Sequence, residues 1–450
     1  MRRTLGLALL VLTLAFPARA QQAAPERPLG TLREQAEIQQ RWLTQRLETV
    51  LPRLMREHGA DLWIVSMREY HEDPVFHALV SPTTFFARRR TIYVFFDRGP
   101  ERGVERLALG GTSQGGLYQA IRETERTPDG RQRELWGKAQ WDLLARVVRE
   151  RNPRRIALNI SQTHAFSDGL TVGEWEQLQE ALGPELLQRV VRAERLPIDL
   201  LATRVPDMLP MYRRMQEIVH QTIATAFSDR VIRPGVTTTA DVVWWMRQRV
   251  NDLGLSTWFQ TSVDIQRRGA NLADSTAPVI QRGDVLHCDF GITALGLNTD
   301  TQHLGYVLRE GETDAPAGLK RALSASNRLQ DILLSRMKPG RTGNEVLKAA
   351  LDQMRAERID GSIYPHPIGD HGHAAGPLIG LWDRQDGVPG RGDLPLLPSM
   401  WHSIELQATT PVPEWGNQPV RMAQEEEAEM TADGTMRWVL RRQSELHLVR

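Results

Sequence analysis

Asp289 and Asp300 stand in "GDVLHCDFGITALGLNTDTQHLGYVL" (283–308), a stretch that otherwise reads as two apolar strands around a Gly-containing turn. A buried strand should be apolar, and a carboxylate taken from water without a partner costs several kcal/mol. A hairpin closed between Ala294 and Leu295 would make the two aspartates direct cross-strand partners, with Cβ atoms about 4.5–5.5 Å apart. Like charges placed so repel. A shared proton, a nearby arginine or a metal ion would relieve them.

Further metal donors follow downstream. His371 and His373 lie in the Gly-rich "HGHAAGPLIGLWD" (371–383), and Glu405 sits among apolar neighbours in "HSIELQATTP" (402–411). "VRMAQEEEAEMT" (420–431) offers Glu425 or Glu426, although most acidic runs are solvated faces. Two Asp, one His and two Glu form an oxygen-rich set suited to Mn²⁺, Co²⁺ or Zn²⁺ rather than to a tetrahedral thiolate site. Four carboxylates exceed the need of one ion, so two divalent ions are expected, with Mn²⁺ first. Such a pair lowers the pKa of a bridging water and polarises the carbonyl it attacks. That chemistry is hydrolysis, most naturally of an amide.

The elements that must position these groups fall into two units. Residues 31–58 read as a polar helix with an apolar stripe through Ile38, Trp42, Leu47, Leu51 and Leu54. Strand-like runs at 61–66, 91–97 and 154–160 alternate with helical stretches at 136–150 and 173–184, which suggests an α/β domain with a partly parallel sheet. A proline-rich break near 195–210 separates this unit, 31–204, from the second, 205–450. There "IRPGVTTTADVVWWM" (232–246) echoes "MKPGRTGNEVLKAAL" (337–351). Thr238 to Asp241 and Thr342 to Glu345 each have capping-box spacing. Either two ordinary helix starts look alike, or the second unit is built from two related halves about a pseudo-two-fold.

The order Asp, Asp, His, Glu, Glu resembles that of the pita-bread metallopeptidases: Xaa-Pro aminopeptidases, prolidases and methionine aminopeptidases. The resemblance implies an α+β pita-bread catalytic domain with a pseudo-two-fold repeat, behind a creatinase-type α/β N-terminal domain. By position it makes Asp289, Asp300, His373 (in Gly372-His373-x-x-Gly376), Glu405 and Glu425 the metal ligands, with Glu426 the alternative if the register slips by one. It also makes Glu405 the proton acceptor, implies a peptide as substrate, and by analogy admits a homodimer. Two features depart from the family. Its histidine seven residues after the ligand histidine is here Gly380, and the window 269–274, where it has another, holds none. His371, the expected catalytic helper, and His303, His366 and His402 are the substitutes, with Trp382 or Trp415 as pocket walls. Of these, His303, Trp382 and His402 are the expected substrate contacts. The implied activity is a two-metal aminopeptidase acting before proline. A dipeptidase or other amide hydrolase, or a non-catalytic binding protein of the same fold, is the alternative.

The start of the chain bears on compartment. Residues 1–20 combine Arg2 and Arg3, an apolar run from Leu5 to Phe16, and Ala18-Arg19-Ala20. They read as a cleaved secretory signal followed by a disordered leader (21–30), so a periplasmic or secreted protein is expected. The apolar run falls short of the ~20 residues that span a bilayer, and no membrane association is expected after cleavage. Losing Arg2, Arg3 and Arg19 takes the formal net charge from +1 to −2, and basic residues form no long block, so no nucleic-acid partner is expected. The single cysteine, Cys288, excludes an internal disulfide and reads as a buried, inert thiol.

Overall fold

The computed structural model describes residues 26–450 apart from 123, 124, 132, 271 and 273–275. The expected signal and residues 21–25 of the leader lie outside the described residues. The rest of the leader departs from the expected disorder: Leu29 is buried, 3 % exposed, against the core that Trp42 and Leu43 also enter. One apolar side chain with a place in a core is enough to fix a short polar segment.

The first helix starts at a capping box, Thr31 accepting from Glu34 N while Glu34 accepts from Thr31 N. It runs over Leu32–Gln45, widens through one turn at Arg46–Val50, and ends as Leu51–Glu57. Its apolar stripe packs on a six-stranded sheet made of β1 (Leu62–Arg68), β2 (Arg90–Asp97), β3 (Val104–Leu109), β4 (Gln119–Ile121), β5 (Ile156–Leu158) and β6 (Val190–Arg192). The order is β4-β3-β2-β1-β5-β6. The β1–β5, β5–β6 and β3–β4 pairs are parallel, while β1–β2 and β2–β3 are antiparallel. The mixed sheet follows from the alternation of strands and helices; the short edge strands β4 and β6 carry too little pattern to be read in advance.

The second unit repeats one plan twice. Helices Leu209–Ala226 and Ala317–Arg336 are each followed by a helix that starts at a capping box, Thr239–Asp252 behind Thr238 and Gly343–Ala356 behind Thr342. After the first pair come β7 (Ser262–Gln266), β8 (Val285–Phe290), the hairpin arms β9 (Thr293–Ala294) and β10 (Leu297–Asn298), and β11 (Thr301–Val307). After the second come β12 (Asp360–Ile363), β13 (His366–Pro367), β14 (Trp401–Ser403), β15 (Leu406–Val412), β16 (Gln418–Gln424), β17 (Glu427–Met430) and β18 (Met436–Trp438). A final strand, β19 (His447–Val449), returns parallel to β11. Gln302 and Glu425 join the two halves by exchanging backbone hydrogen bonds of 3.1 and 3.2 Å. Among the described residues no helix is long and apolar enough to cross a membrane.

The hairpin register differs from expectation. Ala294 pairs with Leu297, so the turn is centred on Leu295-Gly296, both at positive φ (55° and 69°). This is the left-handed pair of a two-residue hairpin turn. Asp289 is therefore opposite Gln302, not Asp300. Asp300 lies two positions along on the same face, just before β11.

The two units are clamped by an ion triad. Arg46 of the first unit reaches Asp370 of the second at 2.9 Å, and Arg204 reaches the same carboxylate at 2.6 Å. Burial alone would raise the Asp370 pKa, but Arg204 and Arg46 hold it below its ordinary value. Asp370→Asn should leave two buried guanidinium groups without a counter-charge and cost about 3–5 kcal/mol. A fall in the denaturation midpoint would report this. A loss below about 1 kcal/mol would show that the triad holds nothing together.

Candidate metal centre

Each acidic group of the centre sits at a strand end or a break in a strand, where the ladder no longer dictates side-chain direction. Asp289 is the penultimate residue of β8. Asp300 precedes β11 and is fixed by its backbone N–H, which donates to Glu427 Oε1 at 2.6 Å. Glu405 lies between β14 and β15, and Glu425 between β16 and β17. His366 opens β13, and its Nδ1 lies 3.0 Å from the Pro367 carbonyl oxygen. A carbonyl only accepts, so Nδ1 carries the proton and the Nε2 lone pair is turned inward. That nitrogen is 3.1 Å from Glu425 Oε1 and 3.7 Å from Asp300 Oδ2. The inward Nε2 and these carboxylate oxygens form a donor set that a cation between them would satisfy.

The electrostatics say the same. Burial, and then Glu425, pushes Asp289 up to about 7 and Glu405 to about 10. Asp300 is raised well above its ordinary value by burial, Glu425 and Asp289. Oδ1 of Asp289 and Oδ1 of Asp300 are both buried without a hydrogen-bond partner. Ligand atoms of Asp289, Asp300 and Glu425 lie within 4.8 Å of one another, as do those of His366, Glu405 and Glu425. The two sets share Glu425, and the orphaned oxygens fit a bound divalent cation.

Gln302 braces the two glutamates. Its Nε2 donates to Glu405 Oε1 at 2.6 Å and to Glu425 Oε2 at 2.8 Å. Its Oε1 must then accept, and His287 Nε2 donates to it at 3.0 Å while His287 Nδ1 contacts Asp264 Oδ2 at 2.9 Å. Burial opposes charge on His287, but the Asp264 hydrogen bond leaves its pKa raised. Such outer contacts fix ligand orientation.

Several residues singled out in the sequence are placed elsewhere. The histidine in contact with the carboxylates is His366. His373 is more exposed: its ring lies 4.7 Å from that of His366, and its nearest nitrogen is within 4.8 Å of the Asp300 and His366 ligand atoms. The loop holds two His-x-x-Gly segments, His366–Gly369 and His373–Gly376, and sequence alone does not choose between them. His373 falls seven residues after His366, the spacing at which the resemblance expects its second histidine. His371 is not in the cluster; its ring packs 5.0 Å from Phe166 of the first unit. His303 is not a substrate contact, because its neighbour Gln302 faces the carboxylates and strand alternation turns His303 away. His402 is sealed, 0 % exposed, and burial pushes it down to about 3. Trp382 is 77 % exposed on a turn and has no ring contact with the cluster, and Trp415 is buried in a separate apolar cluster. The aromatic wall is instead Trp258, whose ring is 5.2 Å from His373 and packs so close to Gly372 that a Cβ there would lie 2.3 Å from it. Tyr364, raised by burial and by Glu405, is a further polar group that sequence reading passed over.

The acidic run is not a solvated face. Glu425, Glu426 and Glu427 are 1–2 % exposed, each with its own partners. Glu426 points opposite to Glu425 and accepts from Gln443 N at 2.8 Å; burial would raise it, but His303 at 2.7 Å and His220 at 3.1 Å lower it to about 2. His447 completes that network at 3.1 Å from His303. Of the two alternatives for the last acidic group, Glu425 is therefore the one within the centre. Cys288 is buried, and burial pushes its thiol up.

Residues 210–432 match the model of metallopeptidase family M24. No curated protein matches the sequence. Among solved structures, the chain is similar to an X-Pro aminopeptidase from Thermotoga maritima, with 18 % identity and a TM-score of 0.59 over 88 % of this chain and 100 % of that one. It is also similar to the dipeptidase PepE from Mycobacterium ulcerans, with 18 % identity and a TM-score of 0.57 over 91 % and 98 %. The N-terminal domain of FACT complex subunit SPT16 from chickpea matches with 11 % identity and a TM-score of 0.56 over 91 % and 99 %. These likenesses carry the two-unit fold.

The raised carboxyls fix the sign of a pH effect. Asp289 and Glu405 hold protons in the folded state at about 7 and about 10 that the unfolded chain releases near its ordinary carboxylate values. Without divalent ions, this contribution to stability is fully present at low pH and declines as pH rises through that window. Melting temperatures at pH 5 and pH 8 should therefore fall with pH in chelator and change less with saturating Mn²⁺. Equal slopes in both conditions would remove the cluster as their source.

Proposed function

Since its second unit belongs to metallopeptidase family M24, we propose that the protein is a two-metal aminopeptidase that releases the N-terminal residue of peptides, with Xaa-Pro the preferred bond. The observation that carries this reading is the inward Nε2 of His366, turned by the Nδ1–H to Pro367 toward the carboxylates of Asp300, Glu405 and Glu425. Asp289, Asp300, His366, Glu405 and Glu425 would hold the ions, Mn²⁺ first. Bound there, a divalent pair supplies an activated water and an electrophile for the scissile carbonyl.

The chain's own residues do the rest. Glu405, beside Glu425 and turned by Gln302, takes the proton lost by the attacking water and returns it to the departing nitrogen. His373, kept neutral by burial and by His366, offers a ring N–H to the substrate carbonyl oxygen. Trp258 supplies an apolar wall that limits water. A binding protein that had lost catalysis would have no use for orphaned Asp289 and Asp300 oxygens, whose burial is costly without a cation. Export to the periplasm or medium rests on the residue types of 1–20.

Variants separate the roles. Asp300→Asn and His366→Ala should each lose bound metal and at least about a hundredfold in kcat/KM, the scale on which a metal or its supports act. His373→Ala should keep full metal content and lose turnover. Metal analysis with Xaa-Pro-peptide hydrolysis before and after chelation decides it: activity that survives chelation would end the two-metal reading. Metal loss in His373→Ala with retention in His366→Ala would reverse the assignment of the two histidines.

A further inference from the structure

The first unit holds a cavity of its own. Its volume is about 730 Å³, within the range of ligand sites, and none of the residues that line it belongs to the second unit. It opens between two helices, Lys138–Arg151 and Val172–Leu187, beside the end of β1 and the start of β2. Arg68, the last residue of β1, is paired across the ladder with Arg90, the first of β2. Like charges placed directly opposite each other repel. Arg90 is answered. It is buried, its Nε donates to Glu174 Oε1 at 2.7 Å, and its Nη2 donates to Gln177 Oε1 at 3.1 Å. Its guanidinium carbon lies 4.7 Å from the Trp141 ring centroid and 5.8 Å from that of Trp136. Trp141 Nε1 donates to the same Gln177 oxygen at 2.7 Å, so this stack is fixed in advance.

Arg68 is not answered. Among the described residues its side chain makes no ion pair and no hydrogen bond. Arg149, which also lines the cavity, has no acid either, and its Nη2 reaches only the Ala181 carbonyl oxygen, at 3.3 Å. The acids of the lining are Asp142, which holds Lys138 at 2.6 Å, and Glu180, whose charge also acts on Lys138. Helix Lys138–Arg151 brings its N-terminus to the cavity. It starts behind Gly137 with no capping side chain and no acid in its first turn. The partial positive charge of that end adds to the arginines. Trp136, just before Gly137, is 51 % exposed and offers a flat apolar face.

We propose that this cavity binds a phosphate ester carried on a planar ring system, of nucleoside monophosphate size, with Trp136 stacking on the ring and Arg68 and Arg149 taking the phosphate. Two unmatched guanidinium groups beside an uncapped helix end suit a dianion better than a single carboxylate. The half-exposed indole suits a flat partner. The site stands apart from the carboxylate centre and does not rest on the peptidase reading. The opposing view is that the Arg90 stack only fastens the two helices to the sheet and the cavity holds solvent.

Calorimetry on the full chain tests this, with adenosine 5′-monophosphate, adenosine, ribose 5-phosphate and inorganic phosphate as probes. The monophosphate should bind once per chain, at least about tenfold more tightly than adenosine or ribose 5-phosphate, since each of those lacks one of the two contacts. Arg149→Met and Trp136→Ala should each weaken it at least about tenfold with metal content unchanged. Arg68→Met should do the same, and it covers a Trp136 variant that folds poorly, because Arg68 holds no other side chain in place. The three variants also separate this cavity from phosphate bound at the metal centre, which none of them touches. Absence of saturable binding, equal affinity for the monophosphate and inorganic phosphate, or affinity unchanged in all three variants would overturn the site and leave a packing stack.

Discussion

Four carboxylates that cannot all be charged at once organise this molecule. Asp289, Asp300, Glu405 and Glu425 converge on one buried volume, and burial and mutual repulsion push the protons of Asp289, Asp300 and Glu405 toward higher pH. Among the described residues no arginine or lysine pairs with them: the triad arginines are spent on Asp370, and Gln302 contributes only a neutral amide. The fold therefore stores a demand for cations. The nearby elements either hold the four groups in place or keep other charges out.

Holding them in place takes both faces of the same strands. In β11, Gln302 faces the centre and braces Glu405 and Glu425, while His303, one residue on, faces away and binds Glu426. At the break between β16 and β17 the alternation runs Glu425, Glu426, Glu427: ligand set, histidine network, and acceptor for the Asp300 backbone N–H. Each buried carboxylate is matched differently, the first by the shared demand for a cation, the second by His220, His303 and Gln443, the third by Asp300 N, Thr301 and Tyr212. A slip of one residue here would exchange all three environments. The run of three glutamates is thus a register lock as much as a ligand source.

Much of this was legible in the sequence, and the reasons it was not fully so are local. Asp289, Asp300 and Glu405 stood out because carboxylates among apolar neighbours violate the pattern of their surroundings, whereas Glu425 was singled out of an acidic run only by the family resemblance. Both capping boxes, and with them the repeated plan, followed from Thr-to-acid spacing. The hairpin was misplaced by one residue because Leu295 adopts a left-handed φ that Gly or Asn would have advertised. His366 and His373 each begin a His-x-x-Gly segment, and only the bond from His366 Nδ1 to Pro367 O distinguishes the one turned inward. Trp258 and Arg391 carried no signal at all, since their meaning comes from the loop they meet in space.

That loop, 366–376, is where the two units act as one. Its first histidine belongs to the carboxylate centre, Asp370 is gripped by Arg46 from the first unit, and His371 rests on Phe166. Gly372 is required by the close approach of Trp258, and the carbonyls of Ala374 and Gly376 are held by Arg391. A loop fixed at so many points has little freedom to reposition His373 when a ligand arrives, so selectivity is built in before binding. It follows that the first unit shapes the centre without supplying a ligand to it. Changes at Arg46 or Phe166, far along the chain, would be felt at the position of His373 rather than at the four carboxylates, whose geometry is set by β8, β11 and the β14–β15 and β16–β17 breaks.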